Sequence, residues 1–418
     1  MHAVFVLPRF YPYRGGYENS MLSVSHCLVE RGHRVTVFTT TAQDLEALWL
    51  PGFKTLPAGE SSVDGIIIRR FPVSYSKLAL RANRVLGLVP YWRWKAQFWR
   101  PGFPVPGLQE ALHGIDADLF HVGPLPYNNL IYAGIEAAEH RGVPVIATPC
   151  THMGQEENSD VAQYYLQPYQ IRLLECCDRV LCMTQAEKTK LTELGIPPQK
   201  MAVLALGIDT TLSSGGAGER VLAEYGIAPP VVLPLGMKAY EKGSVTLVEA
   251  MKELWDAGWK ASLLMAGPSL STFDEYLAEH IDSRDPVVNI PAFPDELKRD
   301  LLAAADIVVQ PSRVESLGLV LLEAWANAKP VIAANIAVSR ELITSCDGGT
   351  LVPFGDVSAL AEEIGCLLED AEQRRNMGQR GQLFAQSYDG EKIWSRYAEE
   401  FERAATRGEE SRSIRAVQ

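Results

Sequence analysis

Short runs of apolar residues alternate along this chain with longer stretches whose apolar positions recur at helical spacing. Apolar runs bounded by turn residues predict buried strands, and strands that alternate with helices are typical of a parallel α/β fold. In the first half, strands are predicted near residues 2–7, 34–39, 66–70, 118–122, 143–148, 179–184 and 201–206. Helices are predicted near residues 18–31, 128–141, 161–176 and 185–194.

The second half repeats this alternation. Its strands are predicted at 231–236, 262–267, 287–291, 306–312, 330–335 and 350–355, and a helical pattern follows each of the first five. The small-residue segment SSGGAG (213–218) is interpreted as a linker or exposed loop. We therefore expect two doubly wound domains, at 1–210 and 220–387, and a solvated tail at 406–418. Two such domains facing each other would hold a ligand in the cleft at the carboxyl ends of their strands.

The composition narrows the class of protein. Apolar residues make up 47% and charged residues 22% of the 418 residues, which is typical of a globular protein. The net charge of −12 argues against a nucleic-acid partner, which usually requires a basic surface. Seven cysteines without a CxxC pair indicate a reduced, cytoplasmic protein. The start MHAVFVLPRF predicts a first strand and not a signal peptide, and no run of 18 apolar residues predicts a transmembrane helix.

The segment DIVVQPSRVESLGLVLLEAWANAKPVIAAN (306–335) carries the strongest chemical signal. A strand of the buried type leads into a tight loop, and the loop opens a helix at about Gly318. Glycine lets a ligand approach the backbone closely, and the first amides of a helix attract anions. We therefore expect the amides of Leu317 to Val320, among them Gly318 and Leu319, to bind a diphosphate.

Two carboxylates lie on this segment. Glu323 interrupts a helix that is otherwise apolar on almost every face, and a buried carboxylate is unfavourable unless it is hydrogen-bonded. Sugar hydroxyls would supply such bonds, and an internal arginine or backbone amides are the alternative. Glu315 precedes the helix on a strand-end loop and is predicted to face the cleft, unless it only interacts favourably with the helix dipole.

The pattern PS-x-x-ES-x-G-L-x-x-x-EA-x-A-x-x-KPVIA closely resembles the signature of the retaining GT-B glycosyltransferases of family 4, whose two glutamates are separated by seven residues. The resemblance implies that Glu315 contacts the donor sugar and that Glu323 binds the ribose hydroxyls of the nucleotide. It also implies two Rossmann-like domains and a last helix, 388–405, that crosses back to the first domain. The resemblance covers nearly the whole chain and is weakest over 72–110.

A second segment, VVLPLGMKAYEKGSVTLVEAM (231–251), is similar to the part of the family in which an arginine and a lysine neutralise the diphosphate. Lys242 before Gly243 matches this lysine, whereas Met237 occupies the position of the arginine. Lys238 is the candidate replacement, although it lacks the planar guanidinium group of arginine. The alternative for Lys242 is an ordinary surface charge.

The segment PRFYPYRGGYENSMLSVSHCLVERGHRVTVFTT (8–40) resembles the first loop of the family, in which Gly-Gly-x-Glu opens a helix. Gly15 and Gly16 are expected to pass close to the donor phosphate and the acceptor. Glu18 either takes part or is only a favourable acid in the first turn. No GxGxxG follows the first strand, which argues against binding of NAD.

Two histidines lie near the ends of predicted strands. In the family, a functional histidine after the fifth strand contacts the transferred sugar. Strict register places Cys150 at that position, so a two-residue shift is needed to assign the role to His152. His121 is expected to be structural or to line the cleft. The DAD sequence at 116–118 is interpreted as structural, and no metal site is expected.

Residues 65–109 contain no acidic side chain, whereas eight basic residues and three tryptophans lie within 69–100. Three interpretations remain open for this basic aromatic stretch. It is a peripheral surface for anionic lipid, an acceptor pocket for an anionic or aromatic molecule, or a packed helical insertion with a solvated basic face.

We therefore expect a retaining glycosyltransferase that moves a sugar from a UDP- or GDP-sugar to a hydroxyl of a lipid-linked or anionic acceptor. By resemblance, Glu315 and His152 act at the donor sugar, and Lys238 and Lys242 stabilise the leaving diphosphate without a metal or another cofactor. The alternatives are a nucleotide-sugar epimerase or phosphorylase of the same fold, and a module that binds the nucleotide sugar without turnover. The expected location is the cytoplasm, at the inner face of a membrane if the basic stretch binds lipid.

Overall fold

The computed structural model describes residues 1–13, 15–75, 103–154, 160–291 and 293–417. The chain forms two compact units. The first comprises Met1–Thr151, Gln163–Leu206 and the chain from Lys392 onward, and the second comprises His152–Ala162 and Gly207–Glu391. Each unit contains a parallel sheet connected by helices, which is the architecture that the alternation of apolar runs and helical stretches predicts.

The first unit is built around an eight-stranded sheet. Its strands are β1 (His2–Val6), β2 (Arg34–Thr40), β3 (Gly59–Val63), β4 (Ile66–Phe71), β5 (Leu119–Val122), β6 (Val145–Ala147), β7 (Arg179–Cys182) and β8 (Met201–Val203). Their order is β3-β4-β2-β1-β5-β6-β7-β8, and only the β3–β4 pair is antiparallel among the described strands. The strand β3 was not predicted, because its residues, GESSV, are polar and mostly exposed at the edge of the sheet.

The helices connecting these strands differ from the prediction at two points, since the helix Leu108–Gly114 was not predicted and one predicted helix is divided. They are α1 (Gly16–Glu30), α2 (Leu108–Gly114), α3 (Asn128–Arg141), α4 (Asp160–Tyr165), α5 (Pro168–Glu175) and α6 (Gln185–Glu193), with short 3-10 helices at Glu46–Leu48 and Pro198–Lys200. The stretch 161–176, predicted as one helix, is divided between α4 and α5. Proline fits the first turn of a helix but not its interior, so Pro168 begins a new helix.

The second unit has a six-stranded parallel sheet. Its strands are β9 (Val231–Leu233), β10 (Ser262–Ala266), β11 (Val287–Ile290), β12 (Ile307–Gln310), β13 (Val331–Ala334) and β14 (Gly349–Val352). The order β11-β10-β9-β12-β13-β14 reverses between β9 and β12. In open α/β sheets, ligands bind beyond the carboxyl ends of the strands at such a reversal. A ligand site is therefore expected beyond the carboxyl ends of β9 and β12.

Helices connect the strands of this sheet and close the unit. They are α7 (Thr210–Ser213), α8 (Gly218–Tyr225), α9 (Ser244–Asp256), α10 (Ser271–His280), α11 (Asp295–Ala304), α12 (Leu319–Ala326), α13 (Ala337–Cys346), α14 (Val357–Glu369) and α15 (Ala371–Ala385). Short 3-10 helices lie at Tyr240–Lys242 and Gln386–Tyr388.

The SSGGAG segment is not a flexible linker, although parts of it are exposed. A Cβ atom at Gly216 would lie 2.2 Å from the carbonyl oxygen of Arg299, and one at Gly218 would lie 2.5 Å from the amide nitrogen of Ala304. The small residues therefore let this segment pack directly on the backbone of α11. Of the two interpretations, the exposed loop fits residues 214–217 in part, whereas the linker does not, because composition does not distinguish a glycine that is flexible from one that permits close packing.

The last helix, α16 (Gly390–Val417), belongs to the first unit from Lys392 onward. The side chains of Tyr397 and Phe401 are fully buried, and the ring of Phe401 lies 5.6 Å from that of Phe5 on β1. The chain thus returns to the first unit, as the resemblance implies. The helix continues to Val417, so residues 406–417, predicted as part of a solvated tail, are helical.

Most of the basic aromatic stretch 69–100 lies outside the described residues, which resume at Phe103. Its described beginning is on β4, where Arg69 donates a 2.8 Å hydrogen bond to Glu60 on β3. Among the helices of the described residues, none is long and apolar enough to cross a membrane.

Candidate functional site

Two loops of the second unit meet beyond the carboxyl ends of β9 and β12. Gly243 has a φ of 72° and would place a Cβ atom 2.2 Å from the carbonyl oxygen of Pro311, so only glycine allows the loops to approach this closely. The amide of Arg313 donates a 3.1 Å hydrogen bond to the carbonyl of Glu241. This contact joins the lysine-bearing segment 240–243 to the segment that carries Glu315.

Lys242 and Glu315 form an ion pair at this junction. The ammonium of Lys242 donates to Oε1 of Glu315 at 2.8 Å and to the carbonyl of Val314 at 2.8 Å, and Gln310 donates to the same carboxylate oxygen at 3.1 Å. Burial by itself would raise the pKa of Glu315, but the charge of Lys242 and the two hydrogen bonds lower it overall. Glu315 is therefore an ionised hydrogen-bond acceptor at neutral pH.

His152 lies beside this ion pair. It forms a hydrogen bond with the backbone of Glu315, and burial together with the charge of Lys242 lowers its pKa to about 4. The imidazole is therefore neutral at pH 7. Cys150, the residue that strict register would select, has a φ of 48°. His152 thus lies next to Glu315, and its role at the transferred sugar stays a prediction.

Glu323 lies on α12, which begins after Gly318 in the left-handed conformation with a φ of 82°. Leu319 is the first residue of this helix, so the amides of Leu319 and Val320 have no carbonyl partners within it, whereas the amide of Leu321 donates a 2.9 Å hydrogen bond to the carbonyl of Gly318. Glu323 is 8% exposed, and Lys298 donates a 2.7 Å hydrogen bond to its Oε1. The internal partner that the sequence analysis considered thus exists, but it is a lysine on α11.

Lys238 has a different environment from Lys242. Its side chain is buried, and its ammonium donates to Oδ1 of Asn289 at 2.6 Å and to the carbonyl of Ile290 at 3.3 Å. Burial lowers its pKa to about 8. Lys238 therefore connects the loop after β9 to the end of β11, and Lys242 is the lysine that lies beside Glu315.

Arg313 and Glu241, which were not predicted as site residues, form a second ion pair between the same loops. The guanidinium of Arg313 donates two hydrogen bonds to the carboxylate of Glu241, one of them 2.9 Å long, and lies 5.2 Å from the centre of the Phe354 ring. These hydrogen bonds raise the pKa of Arg313. The sequence contained a signal for this pair. Glu241 is adjacent to Lys242, and Arg313 lies two positions before Glu315, so each loop carries charges of both signs.

The first unit contains the predicted glycine loop. Gly15 caps α1, and Gly16 is its first residue. Glu18 is buried and lies 3.4 Å from Arg9, whose guanidinium stacks 3.6 Å from the centre of the Tyr13 ring. Burial raises the pKa of Glu18 more than the charge of Arg9 lowers it. Arg9 was not predicted, because no local pattern indicates that it pairs with Glu18.

His121 and the DAD sequence have structural surroundings in the first unit. His121 is fully buried, its ring lies 5.0 Å from that of Phe5, and burial lowers its pKa to about 3. Asp118 accepts a 2.7 Å hydrogen bond from the amide of His2 at the start of β1. No group of three or more His, Cys, Asp or Glu side chains in the described part of the chain is arranged to hold a metal ion.

Two family profiles match successive parts of the sequence. Residues 14–212 match the family described as Glycosyltransferase Family 4, and residues 224–384 match the family described as Glycosyl transferases group 1. The second match contains Lys238, Lys242, Glu315 and Glu323, and the first contains the glycine loop and His152.

Curated relatives carry the name D-inositol 3-phosphate glycosyltransferase. The protein of Nocardia farcinica is 32% identical over 233 residues, which are 53% of this chain and 51% of the relative. The protein of Kribbella flavida is 25% identical over 407 residues, which are 90% of this chain and 88% of the relative. In the matches above 30% identity, the chain spans about half the length of the relatives.

Solved structures with this fold include Anabaena Alr3699/HepE in complex with UDP and glucose, and sucrose-phosphate synthase from Thermosynechococcus elongatus. The first has a TM-score of 0.68 and 19% identity and covers 96% of this chain and 100% of its own. The second has a TM-score of 0.69 and 19% identity, and the match covers 100% of this chain and 99% of the synthase chain. At these identities the likeness shows the fold. With both profiles matched and the GT-B fold present, the chain belongs to the group 1 glycosyltransferases of family 4.

Proposed function

We propose that this protein is a retaining glycosyltransferase that moves a sugar from a nucleoside-diphosphate donor to a hydroxyl of an acceptor. The observation that carries the proposal is the grouping of Lys242, Glu315 and His152 at the carboxyl ends of β9 and β12. Glu323 follows on the helix that the same loop opens. A cation, an ionised acceptor and free helix amides together suit a ligand that has both phosphates and hydroxyl groups.

Lys242 would stabilise the leaving diphosphate. When the bond to the anomeric carbon breaks, the diphosphate gains negative charge, and donors fixed in advance stabilise that charge without reorganisation. An ammonium group has three N–H donors, and Lys242 uses two of them on Val314 and Glu315. The third donor and the first amides of α12 would bind phosphate oxygens.

Glu315 and His152 would hold the donor sugar. The lowered pKa of Glu315 keeps it ionised, so it would accept hydrogen bonds from sugar hydroxyls. His152, with a pKa of about 4, would act as a neutral hydrogen-bonding group and not as a cation. We do not propose Glu315 as a nucleophile, since retention in this family is described as a same-face process. Glu323 would bind the ribose.

For the donor we propose a UDP- or GDP-sugar, supported by the neighbouring structures solved with UDP and with UDP-glucose. For the acceptor we propose an anionic or lipid-linked molecule. The basic composition of residues 69–100 and the phosphorylated acceptor in the names of the relatives support an anionic one. No metal is proposed, because Lys242 and the helix amides would neutralise the diphosphate.

The test is incubation of the purified protein with UDP- and GDP-sugars, with release of the nucleoside diphosphate as the readout. Slow hydrolysis without an acceptor, and faster release with a phosphorylated polyol, are expected. Glu315→Gln should abolish release, and Glu362→Gln, which changes an exposed carboxylate on α14, should leave it unchanged. An isomerised sugar would support the epimerase alternative, and tight donor binding without any product would support a binding module.

We also propose peripheral contact of the basic aromatic stretch with anionic lipid, which would place the protein at the inner face of a membrane. The residues before and after 76–102 lie close together. The amide of Ser74 donates a 2.8 Å hydrogen bond to the carbonyl of Pro104. Sedimentation with vesicles of phosphatidylcholine, with and without phosphatidylglycerol, tests the proposal. Binding that requires the anionic lipid and weakens with salt is expected. Equal recovery in the supernatant with both vesicles would remove the proposal.

A further inference from the structure

Lys298 and Glu323 form an ion pair between α11 and α12, the helices before and after β12. The Nζ–Oε1 distance is 2.7 Å, and the side chains are 26% and 11% exposed. Every other side chain from Leu321 to Trp325 on α12 is apolar and buried. A carboxylate in such surroundings is unfavourable unless a partner compensates its charge, and Lys298 is that partner.

The pair leaves part of the carboxylate available. Lys298 bonds to Oε1, and within the described residues no hydrogen bond to Oε2 is formed. The side chain of Glu323 keeps 11% of its surface exposed, so the carboxylate is not sealed by the ion pair. An ionised carboxylate has about four acceptor positions, enough for one lysine and two hydroxyl groups.

We infer that Lys298 is a positioning residue for recognition of the nucleotide's ribose, and that it acts through Glu323. The inference rests on the proposed function, in which Glu323 binds the ribose hydroxyls. Lys298 holds the carboxylate in one orientation, so that the hydroxyl pair of the ribose meets an acceptor that is already ordered. It also balances the charge of Glu323, which would otherwise repel the diphosphate of the same ligand.

The sequence gives no local indication of this partner, because Lys298 and Glu323 are 25 positions apart and a strand lies between them. The pair forms only when α11 and α12 pack beside each other on the sheet. Lys242, by contrast, could be predicted from the sequence, because it lies in a segment similar to the family's diphosphate-binding part.

Binding of UDP and GDP, measured by calorimetry, and of their 2′,3′-dideoxy forms, tests the inference. Lys298→Met should weaken binding of the nucleotide that the parent prefers by about 10- to 100-fold, the range for losing a hydrogen bond to a charged group. For the dideoxy form, which lacks the hydroxyl pair, the same variant should bind within about threefold of the parent. Lys298→Arg should restore most of the affinity, because it keeps a cation at this place.

Two controls separate positioning from folding. Lys260→Met removes an exposed lysine of the same unit and should leave both affinities unchanged. Glu323→Gln combined with Lys298→Met should bind no more weakly than Glu323→Gln alone, because the lysine acts through the glutamate. Thermal unfolding of each variant would show that the second unit remains folded.

Three results would overturn the inference. One is an equal loss for the ribose and dideoxy nucleotides in Lys298→Met, and another is unchanged affinity for both. A parent protein that binds neither UDP nor GDP would refute the proposed function and this inference with it. If the parent binds a nucleotide through its hydroxyl pair but releases no sugar, the transferase proposal fails while the role of Lys298 stands.

Discussion

Gly243→Ala tests whether the junction of the two loops creates the site. Gly243 has a φ of 72°, and an added Cβ atom would lie 2.2 Å from the carbonyl oxygen of Pro311. Gly226, which ends α8 in the same unit, has a φ of 64° and no heavy atom within 4 Å of an added Cβ. The two alanine variants therefore share the backbone strain and differ in the steric overlap.

The magnitude follows from this difference. A left-handed backbone conformation disfavours alanine by about 1–2 kcal/mol, partly offset by the lower entropy of the unfolded alanine chain. Gly226→Ala should therefore lower the free energy of unfolding by about 1–2 kcal/mol. In Gly243→Ala the Cβ–O distance must grow from 2.2 Å to at least 3.0 Å, a separation of about 0.8 Å, which adds roughly 1–3 kcal/mol.

The same separation would change the site. The hydrogen bond from the Arg313 amide to the Glu241 carbonyl, now 3.1 Å, would exceed hydrogen-bond distance if it lengthened by about 0.8 Å. Lys242 and Glu315 lie on the two loops that would move apart, so sugar release should fall by about 100-fold.

The assays are calorimetric unfolding of both variants and release of nucleoside diphosphate from the donor. The reasoning requires that Gly243→Ala be less stable than Gly226→Ala and that only Gly243→Ala lose activity. Equal stabilities, or full activity in Gly243→Ala, would show that the loops tolerate separation and that their contact does not determine the site.

Phe401→Ala removes a fully buried ring and should destabilise the first unit by about 3–5 kcal/mol, whereas Glu402→Gln, in a partly exposed ion pair with Arg31, should change it by less than about 1 kcal/mol. Denaturant unfolding that gives equal values would contradict this. Because burial lowers the pKa of Lys238 to about 8, from 10.5 in the unfolded chain, the folded protein loses this proton first, and stability should rise from pH 8 to pH 10. The rise should be smaller in Lys238→Met, and equal shifts of the urea midpoint in both proteins would refute it. The pKa of Glu315 lies below its unfolded value of 4.5, so its stabilisation is complete above that value and lost as the pH falls through the folded pKa. Glu315→Gln should therefore lose less stability than the parent as the pH falls. An acid unfolding curve like that of the parent would contradict this contribution of Glu315.

Much of the fold could be predicted because its signals are local. Alternation of apolar runs and helical stretches depends on which residues are neighbours in sequence, and among the described strands it predicted all except β3. The polar sequence of β3 carries no apolar signal. This strand forms because its backbone pairs with β4 at the edge of the sheet. The division of the helix at Pro168 could have been predicted, because proline restricts the backbone locally.

The residues of the candidate site divide in the same way. The sequence by itself determined the glutamate pair, Lys242 and the helix that begins after Gly318, because these lie in short segments with a recognisable spacing. Only the tertiary structure decided the partners: Arg313 for Glu241, and Lys298 for Glu323. These contacts join segments far apart in the sequence, and their geometry comes from the packing of two loops and two helices on one sheet. Local patterns indicate which chemical groups are present, whereas burial and long-range packing decide the charges and partners of those groups.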